Sequence, residues 1–379
     1  MNSPEKNNCR KKALRLIILI MVLLFAVMAC AACGRVNKSS SQANSTRTVT
    51  DSAGRKVQIP ETCGHIAALD SFTAEAMVMI GAGDQMCACP NGTKTDEILR
   101  MIYPDLPEVP VIKSNGAINI EGLASLDADV AVIKLNMLEN EDELAKLEKM
   151  QIPYIAVGYE TMEEQIDALN LVGEVCGGKA ANNMTKMTDY YRKVIDLAAV
   201  NSAKIADGEK VTVYHGINEI ARTDGKTSIG ADWIQAAGAI NVSAGEDVNV
   251  EGTDYQATLE QIYAWDPDVV ICNAAETVDY LYSDSKWTGL RAVREKRVRA
   301  IPVGATRWGQ RGSVETFFAV LWLGCELYPE QYKDVDLKKE VVTFYQEVLG
   351  VQVDDDLYEQ IISGRGLRTS GNNTGGGNQ

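Results

Sequence analysis

The amino-acid sequence predicts an α/β protein of two open lobes joined by a long helix, and three observations carry that expectation. Short β-rich runs alternate with helix-like stretches on both sides of residues 182–206, and strands followed by crossover helices imply a mostly parallel sheet covered on both faces. Residues 182–206 themselves form one helical pattern, with apolar positions at Met184, Met187, Tyr191, Val194, Leu197 and Ala198. One phrase occurs twice, as NIEGLASLDADVAVI at 119–133 and TLEQIYAWDPDVVI at 258–271. Each copy has a glutamate, Glu121 or Glu260, then an aspartate eight residues later, then a β-branched run.

The chain opens with Arg10, Lys11, Lys12 and Arg15, runs apolar from Leu16 to Ala29 and reaches Cys30 and Cys33. A basic region, an apolar stretch short for a membrane span and small residues before a cysteine resemble a bacterial lipoprotein signal over 1–29. Val27, Met28 and Ala29 favour Cys30 as the lipid acceptor, and Gly34 favours Cys33. This places the body on the outer face of the cytoplasmic membrane, held by lipid. Residues 30–47 lack apolar periodicity and read as a flexible tether.

Removing the signal leaves 32 basic against 51 acidic residues, a net charge of −19. Such a surface repels polyanions, so nucleic acid is excluded as a partner. Cys63, Cys87, Cys89, Cys176, Cys272 and Cys325 are scattered and have no zinc or iron-sulfur spacing. No metal site and no cofactor are expected.

The first lobe, residues 48–181, begins with TVTDSAGRKVQIP, a hairpin around Asp51–Gly54. A strand at 65–69, helices at 73–80 and 95–102 and extended residues at 109–113 follow. Helix 119–126 leads to strand 129–134, helix 141–150 to strand 152–157, and helix 161–176 stops at Gly177 and Gly178. The second lobe, residues 207–363, repeats the scheme: strand 210–214, helix 229–237, helix 256–264, strands 268–272 and 297–301, and helix 313–326. Helices at 337–349 and 354–362 pack on it, and residues 364–379 form a disordered tail. Asp129 and Asp268 sit at strand entrances, as turn and cap residues. Glu121 and Glu260 fall near helix starts, where the helix field favours a carboxylate. Two matched acidic positions, one per lobe, suit a partner that is itself two-fold symmetric.

Ligands of open parallel sheets bind beyond the carboxyl ends of the strands, which here means the cleft between two Rossmann-like lobes. The residues just after strands are Lys113, Asn115, Lys134 and Tyr159 in the first lobe, and His215, Asn218, Arg222, Asn273, Arg307, Trp308 and Arg311 in the second. Several are basic in an acidic protein, so their convergence would make a positive funnel for an anion. Arginine gives paired hydrogen bonds to carboxylate or oxyanion oxygens, and Tyr159 or Trp308 suits a flat apolar surface. A lone histidine among basic residues fits a prechelated anion better than a bare metal ion. The sequence has no Gly-x-Ser-x-Gly elbow, no Walker lysine motif and no His-Glu-x-x-His site, which argues against an enzyme.

These features together resemble class III periplasmic binding proteins, the substrate-binding lipoproteins of importers of the iron-siderophore and cobalamin class. The resemblance covers about residues 48–350 and rests on DSAGRKVQIP, the doubled phrase, WIQAAGAINV, RWGQRGS and LWLGCELYPE. It implies that Glu121 and Glu260 dock against arginines of the two permease copies, whose cytoplasmic ATPase supplies the energy. It also implies that Trp308 faces ligand, while His65 stands where relatives commonly carry arginine. The ligand it favours is an anionic ferric-siderophore chelate, with a corrinoid, haem, molybdate or tungstate as alternatives.

Overall fold

The computed structural model describes residues 45–114, 117–251 and 254–367. The export signal, Cys30, Cys33, Asn115 and the tail from 368 lie outside the described residues. Strand β1 (Thr46–Thr50) pairs antiparallel with β2 (Lys56–Pro60). The turn between them is built on the Asp51 carboxylate, which accepts the amides of Ala53 and Arg55 and the Arg55 guanidinium. β1 starts inside the stretch read as tether, and the Arg47 guanidinium donates to the carbonyls of Glu174 and Val175, so Arg47 belongs to the fold.

β3 (Ile66–Ala68), β4 (Met86–Ala88), the two-residue pair β5 (Lys113–Ser114) and β6 (Ala117–Ile118), β7 (Val130–Lys134) and β8 (Tyr154–Val157) complete the first half. Its main sheet runs β4-β3-β7-β8, all parallel. In the second half β9 (Thr212–Gly216), β10 (Arg222–Thr223), β11 (Ile240–Asn241), β12 (Asn249–Glu251), β13 (Asp254–Gln256), β14 (Val269–Cys272) and β15 (Val298–Ala300) follow. β11-β9-β14-β15 is again parallel, and β10-β13-β12 forms a small antiparallel sheet that the sequence reading missed. Helix Ala275–Ser283 was also missed.

The doubled phrase is one structural device used twice. Asp127 and Asp266 both adopt left-handed backbone, with φ of 47° and 38°, at the turn after their helices. Two residues on, Asp129 Oδ2 accepts the amides of Gly64 and His65 before β3, and Asp268 Oδ2 accepts the amide and hydroxyl of Thr212 at the start of β9. Each carboxylate thus ties its own strand to the entrance of the neighbouring one. The leading glutamates are exposed in the first turns of helices Ile120–Ala124 and Leu259–Trp265, which Asn119 and Thr258 cap.

The long helix runs Gly178–Ser202, starting earlier than its apolar pattern suggested. Gly177 (φ 70°) makes the break and Gly178 restarts the helix, so the glycine pair separates two helices directly. Met184, Met187, Tyr191, Val194 and Ala198 are buried as expected. Helix Met162–Cys176 packs so closely that a Cβ on Gly173 would lie 2.6 Å from Met184. On the other side Tyr190 and Tyr191 meet Phe317 and Phe344 at ring distances of 4.9–5.6 Å. The helix is therefore a shared wall of one continuous core.

The C-terminal helices pack on the second half, but residues 364–367 are part of the fold. Gly364 sits where a Cβ would be 2.5 Å from Ala300, and the Leu367 carbonyl accepts the Glu97 amide of the first half.

Asp268 tests the doubled device. Burial alone would raise its pKa, but Thr212, Arg291 and Arg297 outweigh burial and hold the carboxyl below its ordinary 3.8. The stabilisation is therefore present above that pH and is lost as pH falls through the lower folded value. Asp268→Asn should cost about 1–3 kcal/mol at pH 7 by denaturant unfolding, with the difference from wild type closing below pH 3.8.

Candidate functional site

Beyond the carboxyl end of β9 lies a small cavity of about 30 Å³, roughly two to three times what one water needs. Its lining includes His215, Ile217, Arg222, Thr223, Asp224, Ser228, Gly230, Asp254, Tyr255, Gly309 and Arg311, all from the second half. A wider, open depression of about 560 Å³ is lined by Arg55, Gln58, Glu148 and Tyr154. It lies at the amino end of β8, the wrong end of a parallel sheet for a ligand site.

The cavity floor is a buried polar network. His215 Nδ1 faces Asp224 Oδ2 at 2.8 Å and Nε2 faces Asn273 Oδ1 at 2.9 Å. Burial would lower the imidazole pKa, but Asp224 and Asn273 outweigh it, and the pKa lies above its ordinary 6.5. Both ring nitrogens therefore face side-chain oxygens. Asn241 Nδ2 donates to Asp224 as well, at 2.8 Å. Ser228 caps helix Ile229–Ala236, whose first residues reach the lining. Gly230 has to be glycine because the Asp224 carboxylate occupies the space a side chain would take.

The loop that brings Arg311 in is held at its foot by Glu315. This fully buried carboxylate accepts the Thr306 amide (2.5 Å), the Thr306 hydroxyl (3.0 Å) and the Tyr345 hydroxyl (2.6 Å). Burial pushes its pKa up to about 7, against the lowering effect of those same donors. Trp233 Nε1 donates to the Gly309 carbonyl at 3.1 Å, and a Cβ on Gly309 (φ 68°) would lie 2.7 Å from that indole. WIQAAGAINV and RWGQRGS, quoted from distant parts of the sequence, thus meet in space. From the first half, the Tyr159 hydroxyl donates to the Arg311 carbonyl (2.7 Å) and Gln165 donates to the Ser313 carbonyl (2.9 Å).

Of the residues expected from sequence, the structure brings His215, Arg222 and Arg311 into one lining. Tyr159 stands behind Arg311 and holds its backbone. Trp308 is a correction: it is fully buried, with its ring 4.9 Å from Phe318, and packs the core instead of walling a cleft. His215 is likewise a buried strand residue, not a loop histidine. Asn218 is an exposed turn residue with φ 62°, a conformation asparagine tolerates. Lys134 is exposed at the end of β7, Lys113 belongs to β5, and Arg307 is half-buried and outside the lining. Sequence reasoning missed Asp224, Ser228, Asp254 and Tyr255. The run Thr-Asp-Gly-Lys-Thr-Ser at 223–228, a turn followed by a cap, was the available signal for the first two.

No helix among the described residues is long and apolar enough to cross a membrane. The chain is 25% identical to the molybdate-binding protein MolA of Haemophilus influenzae, over 81% of this chain and 92% of that one. The structure of that MolA bound to molybdate superposes with a TM-score of 0.71 at 21% identity, covering 81% and 99% of the two chains. A periplasmic solute-binding protein of Veillonella parvula matches with a TM-score of 0.70 at 22% identity, covering 84% and 97%. Helicobacter pylori CeuE in a nickel–histidine complex matches with a TM-score of 0.68 at 18% identity, covering 84% and 99%. The periplasmic binding protein family matches residues 66–303, more than half of the chain, and the protein belongs to that family of solute-binding components of ABC importers, which are transport proteins and not enzymes.

Proposed function

We propose that this protein receives a small tetrahedral oxyanion of the molybdate and tungstate class and hands it to a membrane permease. Arg222, Arg311 and the His215 imidazole converge on a cavity of about 30 Å³, and that convergence carries the reading. Guanidinium forks match oxyanion edges, and a helix start adds oriented amides. The sequence alone favoured a ferric chelate, but a bulky chelate needs a wide cleft with aromatic walls. Trp308, the aromatic wall expected for it, is in the core. The similarity to a molybdate-binding relative supports the smaller ligand.

Isothermal titration with molybdate, tungstate, sulfate and a panel of ferric siderophores and corrinoids separates the readings. Molybdate and tungstate should bind one to one, and Arg311→Ala should weaken them about tenfold or more, with less salt dependence than wild type. Affinity should fall as pH rises through the raised His215 pKa, where the cavity loses a positive charge. Tight binding of a ferric chelate with none of the oxyanions would reject the proposal.

Glu121 and Glu260 support a docking role by their exposure in equivalent helix starts. The double reversal to lysine should leave oxyanion affinity within about twofold and abolish association with the permease in a pull-down, because like charges facing arginines cost several kcal/mol, on the order of 2–5. Unimpaired uptake by the double variant would refute the docking assignment.

Lipid attachment at Cys30, or else Cys33, is proposed on the basic-apolar-small-cysteine order. Intact-mass measurement of membrane-extracted protein should give a lipidated chain beginning at one of these cysteines. A full-length chain from Met1 as the main species would exclude it.

A further inference from the structure

Each arginine of the cavity already holds a carboxylate. Arg222 Nη2 lies 2.6 Å from Asp254 Oδ1, and Arg311 Nη2 lies 3.1 Å from Glu160 Oε1. The first pair follows from strand register. Arg222 on β10 stands opposite Gln256 on β13, and Asp254, two residues before Gln256, shares that face as a diagonal neighbour. The second pair crosses between the halves. Glu160 and Tyr159 are consecutive, one reaching the Arg311 side chain and the other its backbone carbonyl.

Neither pair is sealed from water: the side chains are 25% and 31% exposed in the first and 41% and 46% in the second. Hydrated pairs of this kind are worth little and exchange readily. A carboxylate also presents the same two-oxygen edge to a guanidinium that an oxyanion does. We propose that Asp254 and Glu160 are built-in competing anions: they keep the two arginines aimed at the cavity while it is empty and yield them to an incoming oxyanion. This rests on the oxyanion reading above. Binding then costs the breaking of two ion pairs and leaves two carboxylates beside a negative ligand. Both effects hold affinity down, which suits a protein that has to release its cargo. Since Glu160 belongs to the first half, loading also loosens that half's hold on the Arg311 side chain, while Tyr159 keeps the loop in register.

The test is the sign of an affinity change, measured by isothermal titration of the full chain with tungstate and with perrhenate, a tetrahedral oxyanion of lower charge. Asp254→Asn and Glu160→Gln should each bind tungstate roughly fivefold tighter than wild type. The gain for perrhenate should be smaller, because the relieved repulsion scales with ligand charge. Glu61→Gln, which removes an exposed carboxylate outside the cavity, should change affinity by less than about twofold and controls for net charge. Unchanged or weaker tungstate binding in Glu160→Gln, with an unaltered melting temperature, would overturn the inference, since a residue that only positions Arg311 can lose affinity but not gain it. Glu160 lies outside β10 and β13, so this arm decides even if Asp254→Asn disturbs the small sheet. Absence of oxyanion binding in wild type and variants alike would overturn the function reading and this inference together.

Discussion

A buried acid satisfied by neutral donors organises this site. Glu315 sits in the interior of the second half, and its two oxygens are taken by the amide and hydroxyl of Thr306 and the hydroxyl of Tyr345. Taking a carboxylate out of water is costly unless its lone pairs are filled, and the loop from Ile301 to Glu315 takes a conformation that fills them. That conformation fixes Thr306 against Ser313 at 3.0 Å, brings Ala305 to Tyr345, seats Trp308 in the core and leaves Arg311 projecting to the cavity. Everything the first half does to this loop, through Tyr159 and Gln165, acts on a backbone already shaped from below.

The same logic separates what could be read in the sequence from what could not. The doubled phrase was legible because its parts are local: a capped helix, a left-handed aspartate and a second aspartate at a strand start all fall within a dozen residues. The parallel sheets were legible because β-branched runs bounded by turn residues carry their own periodicity. Helix Ala275–Ser283 was not, because the cap position is held by Ala274, which carries no start signal, and no side chain caps it. The small sheet β10-β13-β12 was missed because its strands have two or three residues each, too few for alternation to show.

At the site, residue type was legible and orientation was not. Basic residues after strands pointed to Arg222 and Arg311, which share one cavity lining. Whether a side chain turns outward or inward depends on partners far along the chain. Asn273 meets His215 across 58 positions, and Tyr159 meets Arg311 across 152. Trp308 shows the limit clearly: between two arginines in a loop, an indole reads as exposed, yet the demand of Glu315 for its donors turns the backbone so that the ring drops onto Phe318. Sequence patterns report what an element buries along its own length and say little about a loop whose shape is set by another element's polar group.

The carbonyl of Leu367 accepting the amide of Glu97 has a kinetic meaning. A chain that is threaded out of the cytoplasm folds as it emerges, amino end first. The first half can assemble its sheet early, but the start of helix Glu97–Ile102 keeps that amide open until Leu367, 270 residues on, arrives. Closing so long a loop is entropically slow, and contacts of this separation form late. Residues 364–367 thus act as a latch on assembly: without them the Glu97 amide of the first half keeps no partner from the second.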